Sequence, residues 1–152
     1  MRIALHQPDI PGNVGTILRL AACFGVAVDI VEPCGFPFSD RALRRAGMDY
    51  AAAADIARHD DFDALREATR QRGGRIVLLS TGAALRLPDA RFRADDVLLF
   101  GSESAGVPGH VRDAADLSVR IPLRPGLRSL NVAVAAGIAL AEALRQTGGM
   151  PR

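Results

Sequence analysis

The chain contains no lysine and no tryptophan, and its 152 residues include one tyrosine and two cysteines. Cys23 and Cys34 lack Cys-x-x-Cys spacing and a neighbouring histidine pattern, so neither a zinc site nor a disulfide framework is expected. His6, His59 and His110 are scattered and read as structural or surface residues. No apolar run approaches the roughly 20 residues that a bilayer-crossing helix needs. The segment Met1 to Pro8 is too short and too soon polar for a secretion signal, so a cytoplasmic protein without membrane attachment is expected. The net charge of +2 is too small to announce a nucleic-acid partner.

What is present is an ordinary globular composition, 49% hydrophobic and 24% charged. The length predicts one domain over residues 1–152. Every basic side chain is arginine, and their distribution says more than their number. From Leu117 to Ala141 there is no acidic residue, while Arg120, Arg124 and Arg128 fall in that stretch. A second cluster is Arg41, Arg44 and Arg45. Guanidinium forks match phosphate in two-point fashion, so both clusters are candidate phosphate contacts.

Periodicity predicts an α/β protein. Ile3 to His6 reads as a buried strand, and Val14, Ile17, Leu18, Ala21 and Ala22 form a helical stripe capped by Asn13 and ended by Gly25. Val26 to Val31 reads as the next strand, giving a strand–helix–strand unit that favours a parallel sheet. A short helix is predicted from Ser39 or Asp40 to Gly47, a brief strand over Tyr50 to Ala54, and a helix from Asp60 or Asp61 to Gln71 with Phe62, Leu65 and Ala68 inward. Further strands are predicted over Ile76 to Leu79, Val97 to Phe100 and Val119 to Ile121, and a long helix capped by Ser129 to about Gln146. That last helix is apolar on all sides, which predicts burial against a second copy of the chain.

Three segments carry polar groups that packing does not need. Arg19 follows Asn13-Val14-Gly15-Thr16-Ile17-Leu18, off the apolar stripe, where ligands collect at the edge of a parallel sheet. Gly101 and Gly106 bracket Ser102, Glu103 and Ser104, and would let backbone amides approach a ligand. Ile121-Pro122-Leu123 leads through an Arg- and Gly-rich loop to Arg128-Ser129-Leu130-Asn131. Neither a phosphate-binding loop with Lys-Ser/Thr nor a Gly-x-Gly-x-x-Gly fingerprint is present, which disfavours an ordinary dinucleotide-binding protein.

In this order, Asn13-x-Gly15-x-Ile17-x-Arg19, Leu99 to Pro108, and Ile121-Pro122 with Arg128 to Ala135 resemble the three motifs of the SpoU branch of the SPOUT superfamily of RNA methyltransferases. The flanks Gln7 to Asn13, Glu32-Pro33-x-Gly35-Phe36 and Leu43 to Tyr50 are similar to its minimal members, which act on the wobble nucleotide of tRNA. Ser102 and Ser104 stand where that group often has Pro and Thr. The resemblance implies a mostly parallel sheet flanked by helices, with a deep trefoil knot near the C-terminus. It implies transfer of a methyl group from S-adenosylmethionine, leaving S-adenosylhomocysteine, to the ribose 2′-hydroxyl of a wobble cytidine or uridine, in leucine tRNAs, by a homodimer without a metal. It places the methyl donor against Leu78, Gly101, Ile121, Ser129 and Leu130. Arg19, Glu103, Arg128 and Asn131 map to catalytic or RNA-contacting positions, with Arg41, Arg44, Arg45 and Arg124 as further RNA contacts. The alternative is a knotted dimer that binds RNA without catalysis.

Overall fold

Alternate residues of the central strands enter opposite apolar layers, and this period of two builds the molecule. The computed structural model describes residues 1–39, 41–42 and 53–152. The strands are β1 (Arg2–His6), β2 (Ala27–Val31), β3 (Ile56–His59), β4 (Arg75–Leu79), β5 (Leu85–Arg86), β6 (Asp96–Phe100) and β7 (Leu117–Arg120). They form a 7-stranded sheet in the order β3-β2-β1-β6-β4-β7-β5. All of its strand pairings are parallel.

Among the described residues four α-helices cover its faces: α1 (Pro11–Phe24), α2 (Phe62–Gln71), α3 (Gly109–Ala114) and α4 (Val132–Thr147). On one face Ile3, Leu5, Val28, Val77, Leu98 and Phe100 pack against α1 and α4 through Val14, Ile17, Leu18, Ala21, Ala136 and Leu140. On the other, Ala4, Ile76, Leu78, Val97 and Leu99 meet Phe62, Leu65 and Val111. Each large aliphatic side chain buried in these layers contributes roughly 1.5–3 kcal/mol. Two acids are also buried within strands, and each is held by an arginine fork. Asp29 takes Arg2 at 2.6 and 3.1 Å with His59 at 2.8 Å, and Asp96 takes Arg75 through two bonds of 2.9 Å.

The helix starts differ from the sequence reading. Asn13 does not cap α1. Pro11 supplies the preset φ for the first turn, Ile10 is the cap residue, and the Asn13 side chain is drawn to other partners. Gly25 ends α1 as expected, in the left-handed conformation at φ 66°. Asn131, not Ser129, caps α4, because its Oδ1 accepts from the amides of Ala133 at 2.8 Å and Val134 at 3.3 Å. Asp61 caps α2, its Oδ1 accepting from the Ala64 amide at 2.8 Å. Ala68 is half-buried there, and Thr69 takes the inward position with its hydroxyl bonded to the Leu65 carbonyl at 2.8 Å.

Ser39 receives the Ala42 amide at 3.2 Å, as a helix start would. The rest of that helix, with Tyr50 to Ala52 of the expected strand, lies outside the described residues, and positions 53–54 are not strand. The third strand of this half is Ile56–His59 instead, hydrogen-bonded to β2. Strand β5 and helix α3 were not anticipated from the sequence either.

Candidate active site

In the sheet order β4 lies between β6 and β7, so the carboxyl ends of these three strands open side by side. The chain segments that leave them enclose a cavity of about 530 Å3. Leu78, Ser80 and Thr81 enter from the end of β4, Gly101, Ser102 and Glu103 follow β6, and Ile121 follows β7. The start of α4 completes the wall with Ser129, Leu130, Asn131 and Val132. Apolar flanks with a few hydroxyls and backbone groups, at the edge where α/β sheets bind ligands, suit a cofactor-sized molecule.

The loop after β6 is folded on itself. Ser102 and Gly106 exchange main-chain hydrogen bonds of 3.1 and 2.9 Å. Gly106 has φ 66°, and a Cβ on Gly101 would fall 2.4 Å from the Gly106 carbonyl carbon. The two glycines therefore serve the loop's own closure, a stricter demand than the approach to a ligand expected from sequence.

Five polar side chains tie this loop to the two helix starts. Glu103 accepts through Oε1 from Asn13 Nδ2 at 3.0 Å and through Oε2 from the Asp9 amide at 3.2 Å. Asn13 Oδ1 accepts in turn from Asn131 Nδ2 at 2.9 Å. Asp9 Oδ1 accepts from the Glu103 amide at 3.1 Å, and its Oδ2 accepts from the Ser104 hydroxyl. Hydrogen bonding with Glu103, then that from the Ser104 hydroxyl, holds the Asp9 carboxyl down at about 2.

All five residues expected at a methyl donor, Leu78, Gly101, Ile121, Ser129 and Leu130, line the cavity, as do Glu103 and Asn131. Both of those are engaged in structural bonds: Glu103 holds Asn13 and the Asp9 amide, and Asn131 caps α4. Arg19 and Arg128 are exposed and do not line the cavity. Arg19 stands on α1 six positions beyond Asn13, about 9 Å further along the axis at 1.5 Å per residue. Arg41 and Arg124 are exposed, whereas Arg44 and Arg45 lie outside the described residues.

Sequence reasoning did not single out Asp9, Ile10 or Arg112. Ile10 and Arg112 line the cavity, and Asp9 holds the loop that does. Asp9 had a signal, an acidic residue between two prolines directly after a strand at the ligand edge. Arg112 had none, since α3 spans six residues and shows no period.

Fold and site define an α/β protein that takes a small ligand at the carboxyl edge of an all-parallel sheet. The chain belongs to the SpoU rRNA Methylase family, whose profile matches residues 1–141. It is 57% identical over 150 residues to a tRNA (cytidine(34)-2'-O)-methyltransferase of Beijerinckia indica, covering 99% of this chain and 94% of that protein. Among solved structures, it is similar to one described as giving insights into 2-OH methylation of C/U34 on tRNA. The TM-score is 0.89 and the identity 43%, over 95% of this chain and 94% of the other. An AdoMet-bound rRNA methyltransferase from Sinorhizobium meliloti is 33% identical with TM-score 0.84, over 95% of this chain and 55% of that longer one.

Proposed function

We propose that the protein, a single domain over residues 1–152, transfers a methyl group from S-adenosylmethionine to the ribose 2′-hydroxyl of the wobble cytidine or uridine of tRNA, with leucine tRNAs as the substrates the resemblance implies. The observation that carries this reading is the convergence of three separated motifs on one cavity. Near-full-length similarity to a protein named for that reaction supports it. The residues present fit the donor. About 530 Å3 falls within the roughly 300–1,000 Å3 of small-molecule sites, and Leu78, Ile121 and Leu130 offer apolar contact beside the Ser129 hydroxyl.

When bound, S-adenosylmethionine supplies an electrophilic methyl group on a sulfonium. The chain's task is then alignment, and orientation alone can lower a barrier by roughly 7–11 kcal/mol. Glu103, Asn13 and Asn131 hold the cavity's walls in register through their shared bonds. Arg19 and Arg128, outside the cavity, serve the RNA. A guanidinium with a pKa above about 12 is a poor base, so Arg19 binds the phosphate next to the hydroxyl and orients it, and that phosphate or water takes the proton. Arg41, Arg44, Arg45 and Arg124 extend the phosphate-binding face.

The working form in this reading is a homodimer in the cytoplasm. Val134 and Ile138, one turn apart on α4, are 51% and 40% exposed in the single chain, and a second copy would cover them. Among the described residues no helix is long and apolar enough to cross a membrane. The reading includes the C-terminal trefoil knot, supported by the family fold and by the gathering of three separated segments around one cavity. The test is mass spectrometry of tRNA nucleosides from a deletion strain, together with methyl transfer by the purified protein. Unchanged 2′-O-methylation at the wobble position of all tRNAs would overturn the reading.

A further inference from the structure

The segment between β1 and α1 holds an acid that does not line the cavity yet reaches the loop that does. At its start Gln7 takes φ 48°, and the Pro8 carbonyl accepts from the Gly35 amide at 2.9 Å. Gly35 lies so close that a Cβ on it would meet Asp9 Cβ at 2.6 Å and Asp9 Cα at 3.0 Å. The backbone of Asp9 is thus held from behind. From there its carboxylate takes the Glu103 amide and the Ser104 hydroxyl, while the Glu103 carboxylate takes the Asp9 amide. The two acids exchange bonds with one another's main chain, and Asn13 passes the connection to Asn131 at the start of α4.

We infer that Asp9 is a positioning residue for the methyl donor: backed by Gly35 and bonded to Glu103 and Ser104, it latches the loop after β6 in the form that lines the cavity. The inference rests on the proposed methyl transfer for the identity of the ligand. Asp9 acts through the loop and not on the reacting atoms. A hydroxyl at position 104 is the required partner, which gives Ser104 its role. Ser102 has a different one, its hydroxyl accepting from the Ala105 amide at 3.2 Å.

Loss of hydrogen bonds to a charged acceptor makes Asp9→Ala weaken S-adenosylmethionine binding roughly 10- to 100-fold in calorimetric titration. Asp9→Asn keeps an acceptor for the Glu103 amide and recovers part of that loss. With tRNA, the donor KM rises in Asp9→Ala while kcat at saturating donor holds, the pattern of a lost ground-state contribution. A second measurement does not depend on activity or on the stability of the Asp9 variants. Carbon-detected NMR of the Asp9 carboxyl in the unmodified protein gives a titration midpoint at about 2, moving up toward 3.8 in Ser104→Ala. Equal donor affinity in Asp9→Ala, a kcat effect without a KM effect, or an Asp9 midpoint near 3.8 in the unmodified protein would each overturn the latch. Failure of the unmodified protein to bind S-adenosylmethionine would instead overturn the methyl-transfer reading, leaving the NMR result to judge the latch by itself.

Discussion

Asn131 donates from Nδ2 to Asn13 Oδ1 at 2.9 Å, joining residues 118 positions apart at the starts of α4 and α1. The other end of the same amide, Oδ1, caps α4. One side chain therefore fixes a helix terminus and the spacing between two cavity walls. Asn131→Ala should cost about 1–2 kcal/mol through the lost cap, plus the bond to Asn13. Urea unfolding measures the first effect, and donor titration should show weaker binding because Asn131 lines the cavity. Unaltered stability would mean the cap does not persist in solution.

Gly101→Ala offers a sharper steric test. The added carbon would meet three backbone atoms of Gly106 at 2.4–2.7 Å, with no flexible side-chain end to yield. The loop must move, so donor binding should be lost while the far-ultraviolet circular dichroism of the sheet and helices is retained. Binding at the level of the unmodified protein would show that the loop is not held against Gly106 as described.

How much of this was legible beforehand depends on the range of the signal. The α1 stripe, Gly25 and the buried strands follow from short periods, and Val14, Ile17, Leu18 and Ala21 are buried as that pattern demands. Strand β3 was missed because its residues, Ile56-Ala57-Arg58-His59, hold one large aliphatic and lie at the sheet's edge, while the alanines before it drew the assignment. Strand β5 has two residues and α3 six, both too short to show a period. Asn13 has cap chemistry and stands at a helix start, yet its partners Glu103 and Asn131 are 90 and 118 positions away, beyond any local pattern. The motif resemblance located the cavity residues, but it could not say that Glu103 faces Asn13 and the Asp9 amide.

The arginine clusters lead to a salt-dependence test. If Arg41, Arg44 and Arg45 contact tRNA phosphates, binding should weaken steeply with salt, and each contact removed should reduce the log–log slope by about 0.7–0.9. The triple alanine variant should thus lower the slope by roughly two to three. Filter binding across a salt series measures it, and an unchanged slope would exclude this cluster from the RNA face.

Val134→Glu tests the second copy. Val134 is 51% exposed in the single chain, so a glutamate there remains solvated in a monomer but becomes a buried, unpaired charge in the proposed dimer. Burying such a charge costs several kcal/mol, enough to dissociate a micromolar dimer while leaving the monomer's core intact. Sedimentation at micromolar concentration should show a folded monomer. A variant that sediments as a dimer would move the interface away from this face of α4.

Arg19→Ala separates service to the RNA from service to the donor. Arg19 is exposed on α1 and absent from the cavity lining, so removing its side chain should leave donor affinity nearly unchanged. Methyl transfer to tRNA should fall by at least about 100-fold, the lower range for groups that position a proton transfer. Lysine should rescue poorly, since a compact point charge cannot hold phosphate and hydroxyl in one planar fork. Single-turnover transfer, with calorimetric donor binding alongside, makes the measurement. Near-normal transfer would remove Arg19 from the mechanism without touching the family assignment. Lost donor binding would place Arg19 at the cavity in the working assembly, and Arg128, also exposed beside the start of α4, would become the residue to test for orienting the hydroxyl.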